Sequence, residues 1–161
     1  MREQTCCFTG HRIIPASEIL ALRRKLEDAV EDMISRGVRY FGAGGARGFD
    51  TLAAFAVLRL KQKYPYIRLV LVLPCPDQTR GWKRSEIEDY EEILAKADKV
   101  VMVSPEYTPD CMHRRNRRLV DHSAWCVCYL RKSSGGTAYT VEYAKSQGLK
   151  IHNLAEKDGQ L

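Results

Sequence analysis

Apolar positions along this chain follow two rhythms. Short, nearly continuous apolar runs occur at residues 5–9, 38–41, 67–73, 99–103, 125–130 and 150–154. Runs of this length without polar alternation belong to strands covered on both faces, as in parallel sheets. Between them the apolar residues recur at helical spacing. Ile19, Leu22, Leu26, Ala29, Val30, Met33 and Ile34 form one stripe, with Ser17 placed as N-cap and Gly37 as C-terminal stop. Further helices are predicted over 50–64, about 84–97, about 112–122, and 137–147 closed by Gly148.

Strands alternating with helices at this spacing require right-handed crossovers. They predict an α/β fold: a doubly wound (Rossmann-like), mostly parallel sheet with helices on both faces. The most apolar run, 67–73, is expected at or near the sheet's centre. No linker or repeat divides the chain, so one domain is expected over 1–155, followed by a polar tail over 156–161.

Composition changes this picture little. With 161 residues the chain can bury a core without staples. Lys+Arg 26 against Asp+Glu 20 gives a net charge of +6, which favours anionic partners but is modest for a dedicated nucleic-acid binder. No apolar signal or membrane-spanning stretch is present, so a cytoplasmic protein without a membrane partner is expected. Cys6, Cys7, Cys75, Cys126 and Cys128 lie in or beside apolar runs and read as reduced core residues. Zinc held by Cys6-Cys7 and Cys126-Val127-Cys128 is rejected, because structural zinc ligands are usually paired two to four apart on turns. No metal is expected.

The candidate chemistry sits after the strands. Gly42-Ala43-Gly44-Gly45-Ala46-Arg47-Gly48 joins a strand to a helix, the arrangement in which backbone amides and a helix N-terminus cradle phosphate. Arg47 stands where the dinucleotide fingerprint has its third glycine, and the P-loop Lys-Ser/Thr pair is absent, so a purely structural tight turn stays open. Asp50 is first an N-cap and secondly an acceptor for a sugar hydroxyl. The run Arg131-Lys132-Ser133-Ser134-Gly135-Gly136-Thr137 repeats the logic with two cations, against a flexible hinge as its alternative. Thr9-Gly10-His11-Arg12 ends the first strand at the same edge, where His11 or Arg12 either reaches a ligand or belongs to a solvated turn. Gln78 and Trp82 either read and stack on a base or clasp their own loop. Of Arg114-Arg115-Asn116-Arg117-Arg118, Arg115 and Asn116 are expected to face the pocket and the rest to be solvated.

Taken together, these loops resemble the YpsA-like branch of the SLOG superfamily, relatives of DNA-processing protein A and the Lonely guy phosphoribohydrolases. The resemblance rests on Thr9-Gly10-His11-Arg12, Gly42-Ala43-Gly44 with Gly48 and Asp50, Pro74 with Gln78 and Trp82, Arg115-Asn116 with Leu119-Val120-Asp121, and Gly135-Gly136-Thr137. It implies a pocket for a nucleotide-derived ligand, such as an ADP-ribose-like molecule or a nucleoside phosphate, and no other cofactor. In the Lonely guy enzymes a glutamate follows the glycine loop's Gly-Thr by three residues; Thr140 stands there in this chain. Glu142 lies about 160° away in helical phase.

Three functions follow as expectations. The first is binding or sensing of a nucleotide-like small molecule. The second is N-glycosidic cleavage with Asp50 or Glu142 supplying the carboxylate. The third, ranked last, is single-stranded nucleic-acid binding by the basic helix. A homodimer joined through surface helices is also expected.

Overall fold

The computed structural model describes residues 1–155; the tail expected over 156–161 lies outside the described residues. The chain forms β1 (Thr5–Gly10), α1 (Ile19–Ser35), β2 (Tyr40–Ala43), α2 (Phe49–Lys61), β3 (Arg68–Leu73), α3 (Arg84–Lys96), β4 (Lys99–Met102), α4 (Cys111–Asp121), β5 (Trp125–Tyr129), α5 (Gly136–Ser146) and β6 (Lys150–Asn153). All six strands are parallel, in the order β4-β3-β2-β1-β5-β6. The predicted Rossmann-like α/β fold is therefore the one observed.

The short strands alternate between two cores. Cys6, Phe8, Phe41, Leu69 and Leu71 face α1, α2 and α3, where Leu22, Leu26, Ala53, Ala54 and Ile93 close over them. Cys7, Val72, Cys126 and Cys128 face the other way, under Leu119 and Val120 of α4 and Val141 and Ala144 of α5. Burial on both faces is why β1, β2, β3 and β5 read as continuous apolar runs. The edge strands β4 and β6 were expected to be covered in the same way but have only one neighbour each and are largely exposed, with Val100 and Met102 both 43% exposed. All six cysteines are buried and free, Cys111 among them, which comes from α4 rather than a strand.

One boundary differs from the sequence reading. Ser17 lies in a 3-10 turn, Ala16–Glu18, and α1 starts after it without a side-chain cap. The 67–73 run lies near the centre, as expected, without holding it: β3 sits one strand in from the edge, beside β2, and β1 and β2 hold the centre. The stop at Gly37 is observed. Its φ of 95° lets the Gly37 and Val38 amides reach the carbonyls of Ile34 and Met33, at 3.0 Å each, closing α1.

The chain runs outward from β1 to β4, then returns to add β5 on the other side of β1. The reversal leaves a crevice at the carboxyl ends of β1 and β5. Its wall is set by a close approach of two glycines. A Cβ on Gly10 would fall 2.4 Å from the Phe49 ring, and one on Gly48 2.3 Å from the Arg12 carbonyl oxygen. Gly48 also has a φ of 75°.

This predicts a contrast between two glycines that share positive φ. Gly37 has open space around it, so Gly37→Ala should cost about 1 kcal/mol in urea unfolding. Gly48→Ala adds a clash with backbone and should cost roughly twice that or more. Equal losses would show that the close approach carries no energy.

Candidate functional site

A cavity of about 620 Å³ occupies the crevice between β1 and β5. Thr9, Gly10, His11 and Arg12 line it from the end of β1, Ala46 and Asp50 from the glycine run and α2, and Met112, His113, Arg115 and Asn116 from α4. Tyr129, Arg131, Lys132, Ser134, Gly135, Gly136 and Thr137 close it from β5 and the second glycine loop. Another cavity, about 540 Å³, lies at the amino ends of the strands, beside Tyr40, Arg68 and Lys99. Ligands of open parallel sheets bind at the carboxyl ends, so the first is the candidate site.

The first glycine run does not cradle an open space. Gly44 lies under the Arg115 guanidinium, Gly42 under Leu119, and Gly45 against Leu73 and Gln78, so each glycine is there for close packing. Asp50 is not the N-cap of α2; Gly48 is. Asp50 stands one residue inside the helix and its Oδ2 accepts from the Ala46 amide at 3.3 Å. An acidic side chain of the protein thus sits at the positive helix end where phosphate was expected.

Asp50 is 7% exposed and its Oδ1 is buried with no hydrogen-bond partner. Burial pushes its carboxyl up to about 6, against the opposing pull of Arg115, the Ala46 amide and Arg12. Arg115 is 3% exposed. It donates to the Gly44 carbonyl and, through Nε, to Asn116 Oδ1 at 2.7 Å. Burial draws its guanidinium below the ordinary value while Asp50 holds it up. Cys111, Arg115 and Leu119 recur four apart on the buried face of α4, so the arginine is held in the core-facing stripe of its helix.

His11 joins the two sides. Its Nε2 accepts the Arg131 amide at 2.9 Å, which leaves the ring proton on Nδ1. Burial and then Lys132 and Arg131 depress its pKa, favouring that neutral form. The second glycine loop leads into α5 with Gly135 at φ 103° as N-cap and no side-chain cap bond. Gly136 and Thr137, the first residues of α5, line the cavity, and among the described residues no side chain caps this helix end.

The remaining candidates lie elsewhere. Gln78 donates to the Gly44 carbonyl at 3.5 Å and is 8% exposed. Trp82 packs edge-on against Tyr90 at 5.6 Å, and Arg47 lies over its indole while pairing with Glu86 at 3.6 Å. These residues clasp the start of α3 to the glycine run, so the packing alternative for Trp82 is the one realised. Glu142 is exposed on α5 and pairs with Lys145 at 3.7 Å. Thr140 is buried, its hydroxyl bonded to the Gly136 carbonyl at 2.9 Å. Neither lines the cavity.

Sequence reasoning missed Met112, His113 and Tyr129 as lining residues. Met112 and His113 precede Asn116 by four and three positions, the spacing of one helix face, which was the available signal. Among the described residues no group of three or more His, Cys, Asp or Glu is placed to hold a metal, and no helix is long and apolar enough to cross a membrane.

The family model described as the YspA SLOG family matches residues 15–155. The uncharacterized SPbeta prophage-derived protein YoqJ of Bacillus subtilis (strain 168) is 31% identical over 140 residues, 79% of this chain and 82% of that protein. A UPF0398 protein of Bacillus thuringiensis (strain Al Hakam) is 33% identical over 131 residues, 80% of this chain and 69% of the relative.

Among solved structures, DNA processing protein A (DprA) from Helicobacter pylori aligns with a TM-score of 0.71 at 14% identity, covering 99% of this chain and 68% of that one. DprA from Streptococcus pneumoniae aligns with a TM-score of 0.66 at 14% identity, over 92% of this chain, which spans only 49% of that structure. At such identity these two likenesses carry the fold alone.

The Asp50 environment makes a pH prediction. Its folded pKa of about 6 lies above the ordinary 3.8, so the native state binds the extra proton and stability falls as pH rises from about 4 to 6. Asp50→Asn should flatten that slope and leave the protein more stable at pH 8 by up to about 3 kcal/mol. Denaturant melts of both proteins at pH 4, 6 and 8 test it; parallel pH profiles would remove the buried ionisation.

Proposed function

The chain belongs to the YspA SLOG family, and on that premise we propose that the crevice between β1 and β5 binds a phosphorylated, nucleotide-like small molecule. One observation carries the reading: the uncapped N-terminus of α5 opens into a cavity whose lining, among the described residues, sets the cations Arg12, Arg115, Arg131 and Lys132 against the single carboxylate of Asp50. Helix amides and guanidinium groups together are a strong set of donors to phosphate oxygens. The volume falls in the range of small-molecule sites and exceeds what one phosphate needs.

In this arrangement the amides of Gly136 and Thr137 take the phosphate, Lys132 and Arg131 neutralise it from the rim, and Arg12 closes it from β1. Asp50 faces the uncharged part of the ligand, as an acceptor for a hydroxyl. Six buried free thiols suit a reducing compartment, consistent with a cytoplasmic protein.

Two other readings have specific support. N-glycosidic cleavage needs a carboxylate, and Asp50 is the one in the cavity; the alternative candidate Glu142 is tied to Lys145 outside it. Single-stranded DNA binding is supported by the DprA of H. pylori, whose structure concerns its single-stranded DNA binding mode, and by exposed Arg114, Arg117 and Arg118 on α4.

Isothermal titration with ADP-ribose and nucleoside monophosphates tests the proposal. Micromolar or tighter binding is expected for at least one, with affinity falling tenfold or more in Lys132→Glu and in Arg12→Glu, because each reverses a charge-assisted contact. Absence of binding, or affinities insensitive to both reversals, would refute it. Release of free base from the same mixtures, lost in Asp50→Asn, would favour the glycosidase. Retention of oligonucleotides that survives 150 mM salt would favour nucleic acid.

A further inference from the structure

The sequence offered Trp82 as the surface for an aromatic ligand, and the fold removes it to the far side of the glycine run. Another surface takes its place. Of the aromatic side chains that line the cavity, Tyr129 is 2% exposed and stacked on Phe49 at 6.2 Å, and His11 is tied by its Nε2 to the Arg131 amide. His113 is exposed and projects from α4 at the cavity mouth.

Its ring is held rather than free. Tyr139 of α5 meets it edge-on at 4.7 Å between centroids. The Arg117 guanidinium lies over the Tyr139 ring at 5.7 Å and over Tyr143 at 5.5 Å, and bonds the Tyr139 hydroxyl. Tyr143 in turn donates to Asp121 Oδ1 at 2.6 Å. An exposed aromatic plane braced from one side loses less entropy than a free one when a second plane is laid on it. Met112, beside it in the lining, adds a polarizable apolar contact.

We propose that His113, buttressed by Tyr139, is the stacking surface for the nucleobase of the bound ligand. The proposal rests on the phosphate reading above and extends it: with phosphate at the α5 N-terminus, the base lies toward α4, over the imidazole, and away from Gln78 and Trp82. The ligand class is then a nucleoside phosphate, and a base-free sugar phosphate binds more weakly.

The test compares the best bound of AMP, GMP, CMP and UMP with ribose 5-phosphate by titration calorimetry. The intact protein should prefer the nucleotide by about tenfold, the size of one base–aromatic stack. His113→Ala should abolish that preference and leave ribose 5-phosphate unchanged. His113→Phe, which keeps a flat ring, should retain most of it, and Glu142→Gln should match the parent for both probes. Thermal melts confirm that each variant is folded.

The stacking role is overturned if ribose 5-phosphate binds as tightly as the nucleotides, or if His113→Ala weakens both probes alike or neither. If the intact protein binds neither probe, the phosphate reading itself falls and the stacking role with it.

Discussion

The site depends on one close approach, that of the turn after β1 to the start of α2. Gly10 leaves room for the Phe49 ring and Gly48 for the Arg12 and His11 carbonyls, while the Phe49 amide donates to the His11 carbonyl at 3.1 Å. A side chain at either glycine would push the turn off the helix. Because the two segments touch, the side chains they carry converge: His11 and Arg12 from one, Asp50 from the other. Phe49 then stacks on Tyr129, carrying the same alignment across to β5.

Around that contact the charges are arranged in opposition. Asp50 occupies the N-terminus of α2 and is buried beside Arg115, so that helix end is already answered by the protein's own acid. Among the described residues the N-terminus of α5 has no side-chain cap. Two glycine loops of like composition thus have different tasks: one packs, with a guanidinium laid on its backbone, and the other stays open toward the cavity. The difference in burial between their glycines is the physical distinction. A Cβ at Gly44 would clash with Arg115 at 2.6 Å and one at Gly45 with Leu73 at 2.7 Å, whereas one at Gly135 or Gly136 would meet nothing within 4 Å.

Much of this was legible along the chain. Apolar runs without alternation indicate strands buried on both faces, and stripes at helical spacing indicate the helices between them; both depend on local periodicity, which sequence displays directly. Strand ends and helix stops were read to within a few residues. Where the reading went astray, residue chemistry alone did not fix which partner or turn a side chain would join. Ser17 has the chemistry of a cap, but the chain enters α1 through a 3-10 turn. Trp82 has the chemistry of a stacking platform, but Tyr90 and Arg47 claim its faces. The place of β3 in the sheet follows from strand order, which no local pattern encodes.

The sequence by itself determined the class of fold, the alternation of elements and the set of loops that could carry chemistry, because these depend on residue type and near-neighbour spacing. Only the tertiary structure decided which loop residues share a cavity. It sent Arg47, Gln78 and Trp82 to one side of the glycine run and brought His113 to the other. It also buried Arg115 and Asp50 together and turned the second glycine loop outward. Those choices arise from contacts between segments 30 to 120 positions apart, such as the His11 to Arg131 bond, whose energies appear only when the sheet has set its strand order.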